Sequence, residues 1–182
     1  MSHGEIIMQE EYTSNSGHRL IILKRLSTKK CIIQFVNTGF TREVFMDNLR
    51  AGKVRDPYER TVYGKGFQGE PDKTLPYWKQ AKQLWANMFK RCYSDMPSAK
   101  GYKWKGTTVD SRWENFALFL EDLSSLDGFD QWLIGGMNLD KDYKIPGNNV
   151  YSREACCFIT ERLNKSMGGK NTKPRKKLTL QK

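Results

Sequence analysis

The sequence predicts an α+β fold, with a small N-terminal antiparallel β module followed by central helices. Two observations lead to this prediction. Apolar and β-branched residues dominate two short runs in the N-terminal third, RLIILKRL and KCIIQFV, and a turn signal separates them. From residue 78 onward, apolar side chains instead recur at helical spacing. A chain of 182 residues that is 38% hydrophobic and 12% aromatic can bury a core, and it lacks the composition of a disordered protein.

The N-terminal module is predicted to span residues 1–56. Its three predicted strands are residues 19–26, 30–36 and 41–46. Ser27 and Thr28 provide the connection of a hairpin between the first two strands. One helical turn is expected at residues 47–51. Residues 57–76, which contain several glycines and prolines, are predicted to be a loop or linker.

A helical domain is predicted for residues 77–167. Its first helix has an apolar face made of Trp78, Ala81, Trp85, Met88 and Cys92. Ser111 and Glu114 match the S-x-x-E capping box, so a second helix is expected to begin there. The inward residues of that helix are predicted to be Trp113, Phe116, Leu120 and Leu123. Residues 168–182 form a separate basic tail.

The net charge is strongly positive. Lys and Arg number 31 against 20 Asp and Glu, for a formal charge of +11. Such an excess favours a polyanionic partner, most simply nucleic acid. Much of the excess lies in the acid-free C-terminal tail, which is predicted to lie on phosphates through Lys170, Lys173, Arg175, Lys176 and Lys177. The alternative interpretation is a tail that only improves solubility.

Basic residues are also frequent in the predicted N-terminal strands. The candidates for nucleic-acid binding there are Arg19, Lys24, Arg25, Lys29, Lys30 and Arg42. A β-sheet can place such side chains in the major groove of DNA. The alternative is that these six side chains are only solvated charges on the faces of the strands and bind nothing.

Several classes of protein are excluded by composition. No apolar run approaches the roughly 18 residues of a membrane span, so no membrane partner is expected. The acidic start of the chain does not predict a cleavable signal peptide. Cys31, Cys92, Cys156 and Cys157 have neither CxxC nor zinc-finger spacing, and reduced thiols in a cytoplasmic protein are expected.

One polar segment contains the residue types needed for metal chemistry. Asp140 and Asp142 lie two residues apart, and Asn164 follows on a predicted short helix. Carboxylate and amide oxygens are ligands that Mg²⁺ accepts, so these three residues are the candidate metal ligands. Asp-x-Asp pairs also cap ordinary turns, which is the alternative. Lys141, between the two carboxylates, is a further candidate for nucleic-acid binding.

Residues 78–164 resemble a group of phage and mobile-element proteins related to HNH homing-type endonucleases, the His-Me finger nucleases. The most specific matching stretches are residues 85–93, 139–142 and 151–164. Residues 56–58 and 62–66 also resemble the usual lead-in to this module.

The resemblance implies a ββα metal finger at the C-terminal end of the fold. In such a finger a histidine on the first strand activates water, and an acidic residue and a helical Asn or His hold one divalent cation. Here residues 138–142 take the place of the histidine strand, and Asn164 takes the place of the helix ligand. The segment contains no histidine, and the amide of Asn138 cannot accept a proton at neutral pH. Either Asp140 or Asp142 substitutes as the base, or the finger is degenerate.

Three functions therefore remain open. The preferred one is a phage-type DNA-binding protein with a degenerate nuclease finger, acting on double-stranded DNA in the cytoplasm of a bacterial cell. The second is an active Mg²⁺-dependent endonuclease that uses Asp140, Asp142 and Asn164. The candidate catalytic residues are Asn138, Asp140 and Asp142. The third is a basic structural or regulatory protein that docks on an RNA or on a phage or host protein.

Overall fold

The computed structural model describes residues 10–167 and divides the chain into two compact units. The division falls between Glu70 and Pro71, inside the predicted linker of residues 57–76. The mixed α+β class predicted from the sequence is confirmed. The first unit contains an antiparallel sheet, and the second contains helices with two small sheets.

The sheet of the first unit has four strands in the order β1-β2-β3-β4, all antiparallel. Its strands are β1 (Glu11–Thr13), β2 (Arg19–Arg25), β3 (Lys30–Phe35) and β4 (Thr41–Phe45). The three predicted strands are thus confirmed, while β1 escaped prediction because three residues are too short for a pattern to show. Ser27 closes the predicted hairpin, since its Oγ accepts hydrogen bonds from the backbone N–H groups of Lys29 and Lys30.

One face of this sheet is covered and forms the core of the first unit. Alternate residues of β3 are buried because successive side chains of a strand point to opposite faces. A short helix, α1 (Met46–Arg50), follows β4 directly and places Met46 and Leu49 on this face. The buried cluster consists of Leu20, Cys31, Ile33, Phe35, Val44, Met46, Leu49 and Val54. On the opposite face, the β3 residues Lys30, Ile32 and Gln34 are half-buried.

The first helix of the second unit, α2 (Trp78–Tyr93), is the longest among the described residues. The predicted apolar face is confirmed except at its first residue, since Ala81, Trp85, Met88 and Cys92 are buried and Trp78 is half-buried. A short helix, α3 (Lys100–Trp104), follows after a 3₁₀ turn.

The next helix, α4 (Phe116–Leu123), begins later than the capping box predicted. Ser111–Glu114 forms a 3₁₀ turn, and Asp110 accepts the hydrogen bond from the backbone N–H of Arg112. The N-cap of α4 is Asn115, whose Oδ1 accepts from the N–H of Ala117 at 3.0 Å. The predicted inward residues Trp113, Phe116, Leu120 and Leu123 are all buried.

The remaining elements include the segment in which the metal finger was predicted, residues 138–164; we call it the finger segment. They are β5 (Thr108–Val109), α5 (Phe129–Ile134), β6 (Met137–Asp140), β7 (Val150–Tyr151), β8 (Cys157–Thr160) and α6 (Glu161–Met167). β5 pairs in parallel with β7, and β6 pairs antiparallel with β8. The segment from β6 to α6 therefore contains an antiparallel pair, β6 and β8, followed by α6, and β7 lies between the two paired strands in the chain. Thr160 caps α6, because its Oγ1 accepts a hydrogen bond from the N–H of Leu163 at 3.3 Å.

Gly128 allows β8 to approach the turn between α4 and α5. Its φ is +82°, and an added Cβ would lie 2.6 Å from the carbonyl oxygen of Phe158. The neighbouring Asp127 carbonyl accepts a hydrogen bond from the N–H of Phe158 at 2.8 Å. A side chain at position 128 would separate these two segments.

Two tryptophans connect α2 to the segment that leads into α4. Trp85 Nε1 donates to the carbonyl of Trp113 at 2.7 Å, and Trp113 Nε1 donates to Asp122 Oδ2 at 3.0 Å. Arg112 holds the same carboxylate at 2.8 Å. Burial raises the pKa of Asp122, but the hydrogen bonds from Arg112 and Trp113 outweigh it and hold the pKa below its ordinary value.

All four cysteines are buried free thiols. Burial raises the pKa of Cys92 and Cys156 to about 12. Such thiols are poor nucleophiles because the reactive species is the thiolate. Within residues 10–167, no helix combines the length and the apolar composition that crossing a bilayer requires.

Replacing Trp85 with Ala is expected to destabilise the second unit by about 3–5 kcal/mol, because it removes a fully buried ring and leaves a cavity. Urea denaturation followed by circular dichroism measures this loss. Trp104→Ala is the matched control, since the Trp104 side chain is 91% exposed and its loss should leave the stability unchanged. Equal stability of both variants and the wild-type protein would contradict the buried role of Trp85.

Candidate functional site

Three of the six cations predicted to bind nucleic acid from the sheet have carboxylate partners. Arg19 pairs with Glu11 at 3.2 Å, Arg25 pairs with Glu10 at 2.7 Å, and Lys30 pairs with Glu43 at 2.5 Å. All six side chains of these pairs are between 43% and 60% exposed. Exposed pairs of this kind add little stability, but each carboxylate offsets the attraction of its cation for a phosphate.

The other three predicted cations of the sheet, Lys24, Lys29 and Arg42, are exposed. Within the described residues, no carboxylate lies at ion-pair distance from any of them. They lie at different places: Lys24 beside the bulge of β2, Lys29 in the hairpin turn, and Arg42 on the edge strand β4.

A groove runs beside the edge strand β4 and contains two cations that sequence reasoning missed. Lys53 and Arg55 join Arg42 in lining it. The remaining lining residues are Glu43, Val44, Phe45, Asn48 and Val54. Glu43 is the only acid among them, and Lys30 already pairs with it. In the sequence, these two cations appear only as the alternating run Lys53-Val54-Arg55. This run does not predict a cationic groove until the fold shows that it lies beside β4.

The outward face of α2 is the second cationic surface. The sixteen residues of α2 include no Asp or Glu, and Lys79, Lys82 and Lys90 are exposed. Gln83 and Asn87 lie between them, with Gln83 Nε2 donating to Asn87 Oδ1 at 3.0 Å. Ammonium and amide groups are those that contact phosphates and base edges. We call these five residues the polar face of α2.

Asp140, the central residue of the predicted metal site, ends β6 and is 8% exposed. Its Oδ1 accepts hydrogen bonds from the backbone N–H groups of Asp142 at 3.0 Å and Tyr143 at 2.7 Å. This is the turn-capping geometry that was the alternative to a metal site. Burial raises the pKa of Asp140, and the two backbone donors offset only part of that effect.

Lys141, which was predicted to bind nucleic acid, is buried rather than exposed at the surface. Only 5% of the residue is exposed, and its Nζ donates to the carbonyl of Asn148 at 2.9 Å. The Asn148 side chain also bonds to the backbone of Lys141: its Nδ2 donates to the carbonyls of Lys141 and Val150, both at 2.7 Å. An ammonium held in this way is unavailable to a phosphate at the surface. The polar motif thus closes the loop between β6 and β7.

The other residues predicted to bind metal or take part in catalysis, Asp142, Asn164 and Asn138, lie in different surroundings. Asp142 Oδ2 lies 3.4 Å from the Lys141 ammonium, which disfavours a second cation at this carboxylate. Asn164 is half-buried on α6, and no hydrogen bond among the described residues joins it to Asp140 or Asp142. Asn138 is half-buried in the middle of β6, opposite Ile159. Within residues 10–167, no three His, Cys, Asp or Glu side chains group as metal ligands do.

The predicted phosphate contacts of the tail lie outside the described residues. They are Lys170, Lys173, Arg175, Lys176 and Lys177.

No family model, curated protein sequence or solved structure matches this chain. The function is therefore inferred from the chemistry of the residues described above.

Two variants separate the turn-capping role of Asp140 from a role of its charge. Asp140→Asn keeps an oxygen that accepts from Asp142 and Tyr143, so the stability should stay close to that of the wild-type protein. Asp140→Ala leaves both backbone donors without this acceptor and should reduce the free energy of unfolding by roughly 1–3 kcal/mol. Urea denaturation compares the two. Equal losses in both variants would show that the charge, and not the acceptor, is what the loop requires.

Proposed function

We propose that the protein binds double-stranded DNA and that the segment from β6 to α6 serves as a structural element rather than a nuclease centre. The observation that carries the proposal is the polar face of α2. It presents two amides and three lysines for which residues 10–167 provide no carboxylate at ion-pair distance, and the helix itself contains no Asp or Glu. The groove beside β4 supports it with Arg42, Lys53 and Arg55.

Duplex DNA is the partner that suits a helix of this length and composition. Sixteen residues at 1.5 Å per residue extend about 24 Å, and the major groove admits an α-helix. Lysines toward both ends can neutralise phosphates on the two sides of the groove, and amide side chains can hydrogen-bond to base edges between them. The apolar side of α2 is buried in the core of its unit, so its polar side faces outward.

The contacts within the loop between β6 and β7 support the structural role of the finger segment. Asp140 caps a turn, and the Lys141 ammonium lies beside Asp142 where a metal-binding site would need negative potential. The endonuclease alternative is supported by the raised pKa of Asp140, which would bring a carboxylate closer to the range of a general base.

A salt titration tests the role of α2. Replacing Lys79, Lys82 and Lys90 together with Gln is expected to weaken binding to a fluorescently labelled duplex and to reduce the slope of log K against log salt by about 0.9 per lost phosphate contact. Fluorescence anisotropy measures both quantities.

The matched control removes the same charge from lysines that already have carboxylate partners. Lys30, Lys144 and Lys165 pair with Glu43, Asp127 and Glu161 respectively. Their joint replacement with Gln should change the slope much less. If both triple variants lose affinity equally, only the total charge matters and α2 has no special role.

A plasmid assay distinguishes binding from cleavage. The wild-type protein is expected to leave supercoiled plasmid intact in Mg²⁺ or Mn²⁺ while retarding it on a gel. Nicking by the wild-type protein that disappears in Asp140→Asn would overturn the structural role and establish the endonuclease alternative. Preferential binding of RNA over duplex DNA would instead support the third function.

A further inference from the structure

Trp104 is the most exposed large apolar side chain among the described residues. Its side chain is 91% exposed, whereas Trp85, Trp113 and Trp132 are at most 4% exposed and Trp78 is half-buried. Burying an aromatic ring is among the larger favourable contributions to folding, and Trp104 contributes none of it. The ring therefore has no role in the core of its unit.

The neighbours of this ring are cationic. Trp104 ends α3, and Lys100, Lys103 and Lys105 lie within four residues of it. Lys103 pairs with Asp95, while Lys100 and Lys105 have no carboxylate at ion-pair distance in the part of the chain that the structure describes. The exposed ring is thus flanked along the chain by two exposed lysines that have no carboxylate partner among residues 10–167.

We infer that Trp104 is a stacking platform for an unpaired nucleotide, with Lys100 and Lys105 contacting the adjoining phosphates. A π-face flanked by positive charge is the combination by which proteins bind single-stranded nucleic acid, since every base has a face that can stack and every linkage carries a negative charge. The bases of an intact duplex are already stacked on one another, so the ring needs a single strand or a locally opened one.

Two other occupants fit the surroundings less well. A membrane-surface helix places several apolar side chains on one side, but the other members of α3 are Lys100, Gly101, the half-buried Tyr102 and Lys103. The core of a protein interface is depleted in charged residues, whereas this ring lies between lysines. Charge complementarity therefore favours a nucleic acid.

The inference rests on the proposed binding of nucleic acid and adds a second mode to it. The polar face of α2 suits a duplex, and Trp104 suits unstacked bases in the same polymer. A protein with both could hold a junction between double and single strands.

Tryptophan fluorescence during titration with oligothymidylate tests stacking directly. The wild-type emission is expected to be quenched on binding, and Trp104→Phe should lose that quenching while keeping most of the affinity, because phenylalanine still stacks. Trp104→Leu should weaken oligothymidylate binding by roughly 5- to 150-fold, the range that corresponds to one stacked base, and change duplex affinity less than about twofold.

Ile134→Ala is the matched control. Ile134 is 89% exposed and has glycines rather than lysines after it, so its loss should leave oligothymidylate affinity unchanged. Unchanged affinity in Trp104→Leu, or quenching by anionic vesicles and not by oligothymidylate, would overturn the inference. If the protein binds the duplex but oligothymidylate does not quench Trp104, this inference alone is overturned. If oligothymidylate quenches Trp104 but the protein does not bind the duplex, only the proposed function is overturned.

Discussion

The aromatic packing between α2 and α4 determines which surface the second unit presents. Trp85 cannot leave the core without losing both its buried ring contacts and its hydrogen bond to the carbonyl of Trp113. Trp113 in turn requires Asp122, the carboxylate that Arg112 holds. Because these contacts hold the buried side of α2, the rotation of the helix about its axis is fixed. The helical period then determines that the lysines and amides of the polar face point away from the core, without any contact of their own.

The charge of a basic side chain indicates a phosphate-binding surface only when its carboxylate partners are known. The composition gives a large cationic excess, yet half of the predicted cations of the sheet are paired with Glu10, Glu11 or Glu43. A cation beside a carboxylate offers a phosphate less net attraction than an unpaired one, and the difference is greatest where solvent screens least. The surfaces that matter for a polyanion are therefore those where cations outnumber the local acids, as on α2, which has no acid, and beside β4, where the one acid, Glu43, is paired with Lys30.

The sequence predicted the features that depend on periodicity and missed those that depend on tertiary hydrogen bonds. The strands β2 to β4 and the buried side of α2 appeared because a strand repeats every two residues and a helix every 3.6. The N-cap at Asn115, the parallel pairing of β5 with β7 and the burial of Lys141 did not appear, because each depends on a partner distant in space or on a choice between equivalent polar residues. Composition likewise gives Trp104 and Trp85 the same apolar character, and only the fold separates a surface ring from a core ring.

The loop between β6 and β7 depends on side-chain hydrogen bonds that require particular residue types. A hydrogen-bonded loop constrains the same residue types as an active site does: an acceptor at position 140 for two backbone donors, an ammonium at 141 for a carbonyl, and an amide at 148 for two more carbonyls. Loss of any one would leave partly buried polar groups unsatisfied, which costs more than the bond contributes when made. These hydrogen bonds are by themselves a sufficient reason for Asp140, Lys141 and Asn148, so the residue types of this loop do not require a nuclease centre, in keeping with the proposed function.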